Sequence, residues 1–201
     1  MKLNILTVLW RTEYLEKQYE SIPKKEDVNW ILCKSNLWNS NIPDYIKNSK
    51  DVNVIICNID IFKKKESMKD FILKINKGIE KIEDGFFYIL DDDNEMHEKI
   101  YKTYKKYKNT NYKMIIGNQI EKSGEIWVKA DYPAAYGNID MGNVLCSTEV
   151  LKTVKNFTGV DKNTIQKGVY DHLFWQFCFD SVDIKDVLLL NKVIFYYNGL
   201  I

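Results

Sequence analysis

Five consecutive apolar residues, Phe86-Phe87-Tyr88-Ile89-Leu90, run straight into three aspartates, Asp91-Asp92-Asp93, and this junction constrains the fold more than any other segment. A strand with one wet face alternates polar and apolar side chains, whereas an unbroken apolar run fits a strand covered on both faces. Residues 30–33 are a second, shorter apolar run, and 3–9 and 52–57 are further strand candidates, the latter rich in β-branched residues. Between these runs lie helical patterns: residues 13–21, which Pro23 helps to end, and residues 65–82, with Met68, Phe71, Ile72, Ile75 and Ile79 on one face. Alternating strands and helices predict an α/β chain with a mostly parallel central sheet flanked by helices.

The second half reads as more irregular. Short strands are expected at 113–117 and 125–129 around Glu121-Lys122-Ser123-Gly124, then a loop over 131–138 that contains Pro133 and Gly137. A strand at 143–147, helices at 148–154 and 170–179, and two late strands at 183–190 and 193–197 follow. With no repeat or long linker, residues 1–201 read as one domain.

Charge and cysteine usage exclude several classes. The 29 Lys+Arg balance 28 Asp+Glu for a net charge of +1, which lacks the basic excess of a nucleic-acid binder. No apolar run approaches the roughly 20 residues of a membrane-spanning helix, and the apolar N-terminus is too brief for a signal peptide. Cys33, Cys57, Cys146 and Cys178 sit in apolar stretches with no C-x-x-C pair. Buried, reduced thiols are therefore expected, and with them a soluble, cytoplasmic protein.

Three adjacent carboxylates repel one another, and that repulsion opposes their joint ionisation. A hard divalent cation relieves it, because Mg²⁺ or Mn²⁺ favours oxygen ligands and bridges protein carboxylates to phosphates. In an open parallel sheet, ligands bind beyond the carboxyl ends of the strands, where these aspartates would lie. A plainer reading has Asp93 or Asn94 capping the helix that runs through Tyr107, which accounts for one aspartate and leaves two.

The segment Phe86 to Asn94 resembles the strand-plus-D-x-D element of GT-A-fold glycosyltransferases, notably the family-2-like group with small single-domain viral and bacterial members. The opening strand Ile5-Leu6-Thr7-Val8 and the Leu9-Trp10-Arg11 loop resemble that group's first strand and base-binding loop. The resemblance implies a single Rossmann-like GT-A domain, with a nucleotide-binding half over about residues 1–110 and an acceptor-facing half over about 111–201. It implies Mn²⁺ or Mg²⁺ on Asp93, with Asp91 as second ligand, and Asp91 or Asp92 reaching the ribose. Thr7, Leu9 and Arg11 would lie along the nucleotide, with Arg11 either reaching a phosphate or packing on the surface. Asp60 falls where the group touches the base, or is a turn residue.

Val169-Tyr170-Asp171-His172 resembles the later acidic motif of inverting members and makes Asp171 the candidate base, although Tyr170 stands where the group often has glutamate. Asp140, Gly142, Asn143 and His172 would line the sugar and acceptor pocket, and Trp127 could stack on a sugar face. The implied partners are a nucleotide-sugar, with UDP favoured, and a glycan or other hydroxyl acceptor. Two alternatives stay open: a carbohydrate-binding or scaffold protein that keeps the fold, and a sugar nucleotidyltransferase. The second is disfavoured because Leu9-Trp10-Arg11-Thr12-Glu13 lacks the glycines that grip a triphosphate.

Overall fold

The computed structural model describes residues 1–36, 41–60, 67–121, 123–130, 141–153 and 170–197, with the side chains of 67–69, 141, 152–153 and 170–173 outside that description. In chain order the elements are β1 (Lys2–Val8), α1 (Leu15–Ser21), β2 (Val28–Ser35), α2 (Asp44–Lys47), β3 (Asn53–Ile59), α3 (Ser67–Ile79), β4 (Gly85–Ile89) and α4 (Glu98–Tyr107). There follow β5 (Met114–Glu121), β6 (Ile126–Val128), a 3₁₀ turn (Met141–Asn143), β7 (Val144–Ser147), α5 (Thr148–Thr153), α6 (Tyr170–Asp180) and β8 (Val187–Tyr197).

The strands form one eight-stranded sheet in the order β3-β2-β1-β4-β7-β5-β6, with β8 paired to β5. The half β3-β2-β1-β4 is parallel, and β7 enters antiparallel to both β4 and β5, so β5 runs in the same direction as β4. This is the mixed α/β sheet with a mostly parallel core that the apolar strands predict.

Both faces are covered. On one face Leu6, Val8, Phe87 and Ile89 pack with Ile72 and Ile75 of α3, Val150 of α5 and Phe174 and Trp175 of α6. On the other, Leu3, Ile5, Phe86 and Tyr88 pack with Leu15 of α1, Ile46 of α2 and Ile100 and Tyr104 of α4. The period-two alternation along β1 and β4 sends successive side chains to opposite cores. Three aligned asparagines fix the register at the strands' amino ends. Asn53 donates to Asn29 (3.0 Å), Asn29 to Asn4 (3.1 Å), and Asn4 to the Glu83 carbonyl (2.8 Å).

Two expectations change. The two late strands are one: β8 follows β5 from Met114↔Val187 to Glu121↔Tyr197, with irregular register where Asn191 and Lys192 intervene between the partners of Gly117 and Asn118. Those two polar residues, which break the hydrophobic pattern, sit in a bulge and not in a turn. The cap of α4 is His97, whose Nδ1 accepts from the Lys99 amide at 3.1 Å, so neither Asp93 nor Asn94 serves that role. The loop expected over 131–138 lies outside the described residues.

Candidate functional site

The chain visits β1, β2 and β3 in one direction and then returns to place β4 on the other side of β1. That reversal is the topological switch point, and ligands of open α/β sheets bind beyond the carboxyl ends of the strands there. Leu9-Trp10-Arg11 and Asp91-Asp92-Asp93 are the loops after β1 and β4.

Asp92 joins them. It is 3% exposed, and its Oδ2 accepts from the Trp10 and Arg11 backbone amides, each at 2.7 Å. Its Oδ1 accepts from Arg11 Nε (3.1 Å) and Nη2 (2.6 Å). The same Nη2 reaches Asp93 Oδ2 at 2.7 Å. Burial opposes the Arg11 charge, but the bonds to Asp92 and Asp93 outweigh it and raise the guanidinium's pKa above its ordinary value. From α1, buried Gln18 donates to the carbonyls of Asp91 (2.6 Å) and Asn94 (3.0 Å), holding the far side of the aspartate turn.

A second polar cluster supports the β1 loop from below. Lys74 of α3, fully buried, donates to the Leu9 carbonyl at 2.9 Å and pairs with Asp70 at 3.0 Å, while its ammonium lies 4.0 Å from the centre of the Trp10 ring. Burial pushes the Lys74 ammonium below its ordinary value, and Asp70 and Asp92 act against that shift.

The expected residues thus occupy different positions. Thr7 is fully buried, with its hydroxyl accepting from Trp30 Nε1 at 3.1 Å, and Leu9 is equally buried. Arg11 is committed to Asp92 and Asp93, though its side chain remains 39% exposed. Asp60 is exposed just beyond β3, two strands from β1. Gly142 comes against the aspartate turn: a β-carbon on it would lie 3.9 Å from Asp91 Oδ2. Asn143, next in chain, is fully buried. Asp171 and His172 fall in the first turn of α6, which packs against the Met141–Asn143 turn, but their side chains and all of Asp140 lie outside the described residues.

Gln18, Lys74, Tyr88 and Gln119 are site neighbours that sequence reading missed. The available signal was a polar residue where the pattern called for an apolar one, as at Gln18 three positions after buried Leu15.

The donor chemistry of the aspartates suits a hard cation. Asp93 Oδ1 makes no hydrogen bond among the described residues, and Asp91 is half-buried beside it. Among the described residues no three His, Cys, Asp or Glu side chains form a metal cage. Mg²⁺ needs none where one or two carboxylates act together with substrate phosphates. A separate cavity of about 590 Å³ opens at the opposite, amino-terminal edge of β1 and β4. Its Lys113 is already within 4.0 Å of Glu149 and 3.8 Å of Asp186, so its charges offset one another.

No protein-family model matches the sequence, and no curated protein does. Solved structures do resemble it. A crystal structure of S. aureus TarS residues 1–349 superposes with a TM-score of 0.72 at 13% identity, covering 98% of this chain and 60% of that one. A second TarS structure gives 0.69 at 14% identity, covering 98% of this chain and 36% of that one. TarS is a GT-A-type glycosyltransferase, and the likeness establishes a GT-A-like fold. The chain spans 60% and 36% of the lengths of these two neighbours. Among the described residues no helix is long and apolar enough to cross a membrane.

Proposed function

We propose that this chain is a metal-dependent glycosyltransferase that moves a sugar from a nucleoside-diphosphate sugar, most readily a UDP-sugar, to a hydroxyl of a glycan or similar acceptor. The observation that carries this reading is a division of labour at the switch point of a GT-A-like sheet. Asp92 is consumed by four bonds to the β1 loop, while Asp93 is bonded through Oδ2 to Arg11 with no hydrogen bond to Oδ1 among the described residues, and Asp91 is half-buried beside it.

Asp93, with Asp91, would hold Mn²⁺ or Mg²⁺, which when bound supplies positive charge to a leaving diphosphate. Arg11 places a second, permanent positive charge beside Asp93. The loop after β1 would take the nucleotide, with Trp10 and Arg11 held in place by Lys74 and Asp92. In the transfer step the acceptor oxygen forms a bond to the anomeric carbon as the bond to the diphosphate breaks. The acceptor proton passes to a carboxylate, for which Asp171 in the first turn of α6 is the candidate, and the nucleoside diphosphate departs with inversion. Trp127, half-exposed on β6 and stacked on Tyr197 at 4.6 Å, offers an aromatic face to the acceptor at the same sheet edge.

Calorimetric titration of UDP, GDP and their sugar conjugates, with and without Mn²⁺, tests this reading. Wild type should bind one nucleotide only with metal, and Asp93→Ala should lose that binding. An absence of binding under every metal rejects the donor site. Binding without release of nucleotide from any donor, even with saccharide acceptors present, favours a carbohydrate-binding or scaffold role.

A further inference from the structure

Cys33 and Cys57 face each other across the parallel strands β2 and β3. They are direct register partners, and both side chains enter the core beneath α3. Neighbouring strands lie about 4.7–4.9 Å apart, within the roughly 4.4–6.8 Å that separates the α-carbons of a disulfide. Both thiols are free, and their sulfurs are within hydrogen-bonding reach of each other. Gly78 lets α3 lie directly on the pair, since a β-carbon there would stand 2.8 Å from Cys33 Sγ.

The two thiols differ in access and in charge. Cys33 is fully buried, whereas Cys57, on the strand at the end of the sheet, keeps 6% of its surface in water. The hydrogen bond from Cys33, with Lys81 and Lys77 close by, holds the Cys57 thiol below its ordinary value against burial and the charge of Glu80. The same bond, together with burial, pushes the Cys33 thiol up. A thiolate is the form that attacks an oxidant, so the more accessible partner is the nucleophile and the buried one keeps its proton. Cys146 and Cys178 are a second pair of neighbouring thiols in the same core, but both are fully buried, and burial raises Cys146. They serve as an internal control.

We infer that Cys57 and Cys33 form an oxidisable dithiol, which hydrogen peroxide closes to a disulfide with Cys57 reacting first. The Cys57 thiolate attacks one peroxide oxygen, the O–O bond breaks, and hydroxide leaves and takes up the proton that Cys57 had lost. Cys57 is then a sulfenic acid. The Cys33 sulfur attacks the Cys57 sulfur, the S–O bond breaks, and the hydroxyl departs as water with the Cys33 proton. Both sulfurs are oxidised, and one peroxide is reduced to two waters. The bond ties β3 to a residue whose carbonyl accepts from the Leu9 amide at 2.8 Å, where the loop after β1 begins. The inference goes beyond the glycosyl-transfer reading and does not depend on it.

The test treats the folded chain with hydrogen peroxide, blocks remaining thiols with N-ethylmaleimide under denaturing conditions, and maps the peptides by mass spectrometry. Wild type should lose two hydrogens and yield one Cys33–Cys57 linkage that dithiothreitol reverses. Cys146 and Cys178 should stay alkylated and be lost at least about tenfold more slowly. Cys33→Ser should leave a Cys57 sulfenic acid that dimedone traps, and Cys57→Ser should leave Cys33 reduced. Cys57→Ala, which keeps the position apolar, repeats the second result independently of how the serine variant folds, and circular dichroism checks each chain before oxidation. Four free thiols after peroxide overturn the inference. So does a linkage through Cys146 or Cys178, or a Cys57 carried on to sulfinic acid while Cys33 remains a thiol.

Discussion

Replacing Asp92 by asparagine keeps the shape of the side chain and removes its charge, which isolates what the carboxylate does in joining the β1 and β4 loops. In wild type one oxygen takes two backbone amides at 2.7 Å and the other takes the Arg11 fork at 2.6 and 3.1 Å. Asparagine offers one oxygen. Facing the amides, it turns its NH₂ toward the guanidinium, so that donor meets donor. Arg11 is 39% exposed and can turn to water, so the lost fork is worth no more than about 1 kcal/mol after screening. The two amide bonds lose their charge assistance, about 1 kcal/mol each. The expected loss is about 3 kcal/mol, or a fall in Tm of about 6–12 °C for a chain of this size. Urea unfolding followed by circular dichroism measures it, with Asp93→Asn as the comparison. Asp93 makes one bond, to the half-exposed Arg11, and its replacement should lose less than about 1 kcal/mol. An Asp92→Asn loss below about 1 kcal/mol, or an equal loss at Asp93, would refute the assignment of Asp92 to structure.

Lys74→Met should destabilise by about 3–5 kcal/mol, because it strands buried Asp70 and the Leu9 carbonyl, and adding Asp70→Leu should recover part of the loss in a double-mutant cycle by urea unfolding. Gly85→Ala should be more severe than an ordinary Gly→Ala change. Gly85 has φ +147° and a β-carbon there would lie 2.0 Å from the backbone oxygen of Lys2, so soluble expression and thermal melting should both suffer. Burial, and then repulsion from Lys99, holds the His97 imidazole below its ordinary value, so the folded chain takes up this proton less readily than the unfolded one. Its contribution is present above about pH 6.5 and is lost as the pH falls through the lowered folded value. Urea unfolding between pH 7 and pH 5 should therefore show a decline that His97→Gln reduces; an unchanged slope would count against the buried neutral ring.

The β strands and most helices could be read locally because hydrophobic periodicity reports burial directly: Phe86 to Leu90 had to be covered on both sides. Periodicity failed at Asn191-Lys192, where a bulge in β8 imitates a break between two strands. It also failed at His97, whose capping role depends on a neutral ring packed on Tyr196 at 4.5 Å, a partner 99 residues away.

At the site, the chain's order alone placed three aspartates at the carboxyl end of a buried strand, and the repulsion among them already called for a cation or a donor. Which aspartate is committed to structure depended on the distant Trp10 and Arg11 amides, and where the buried Gln18 and Gln119 amides donate depended on the distant carbonyls of Asp91, Asn94 and Tyr196. Solvent-driven burial acts on each segment's own pattern and is legible along one chain. Hydrogen bonds are directional and short, so their partners exist only once the sheet has brought residues 80 positions apart within 3 Å.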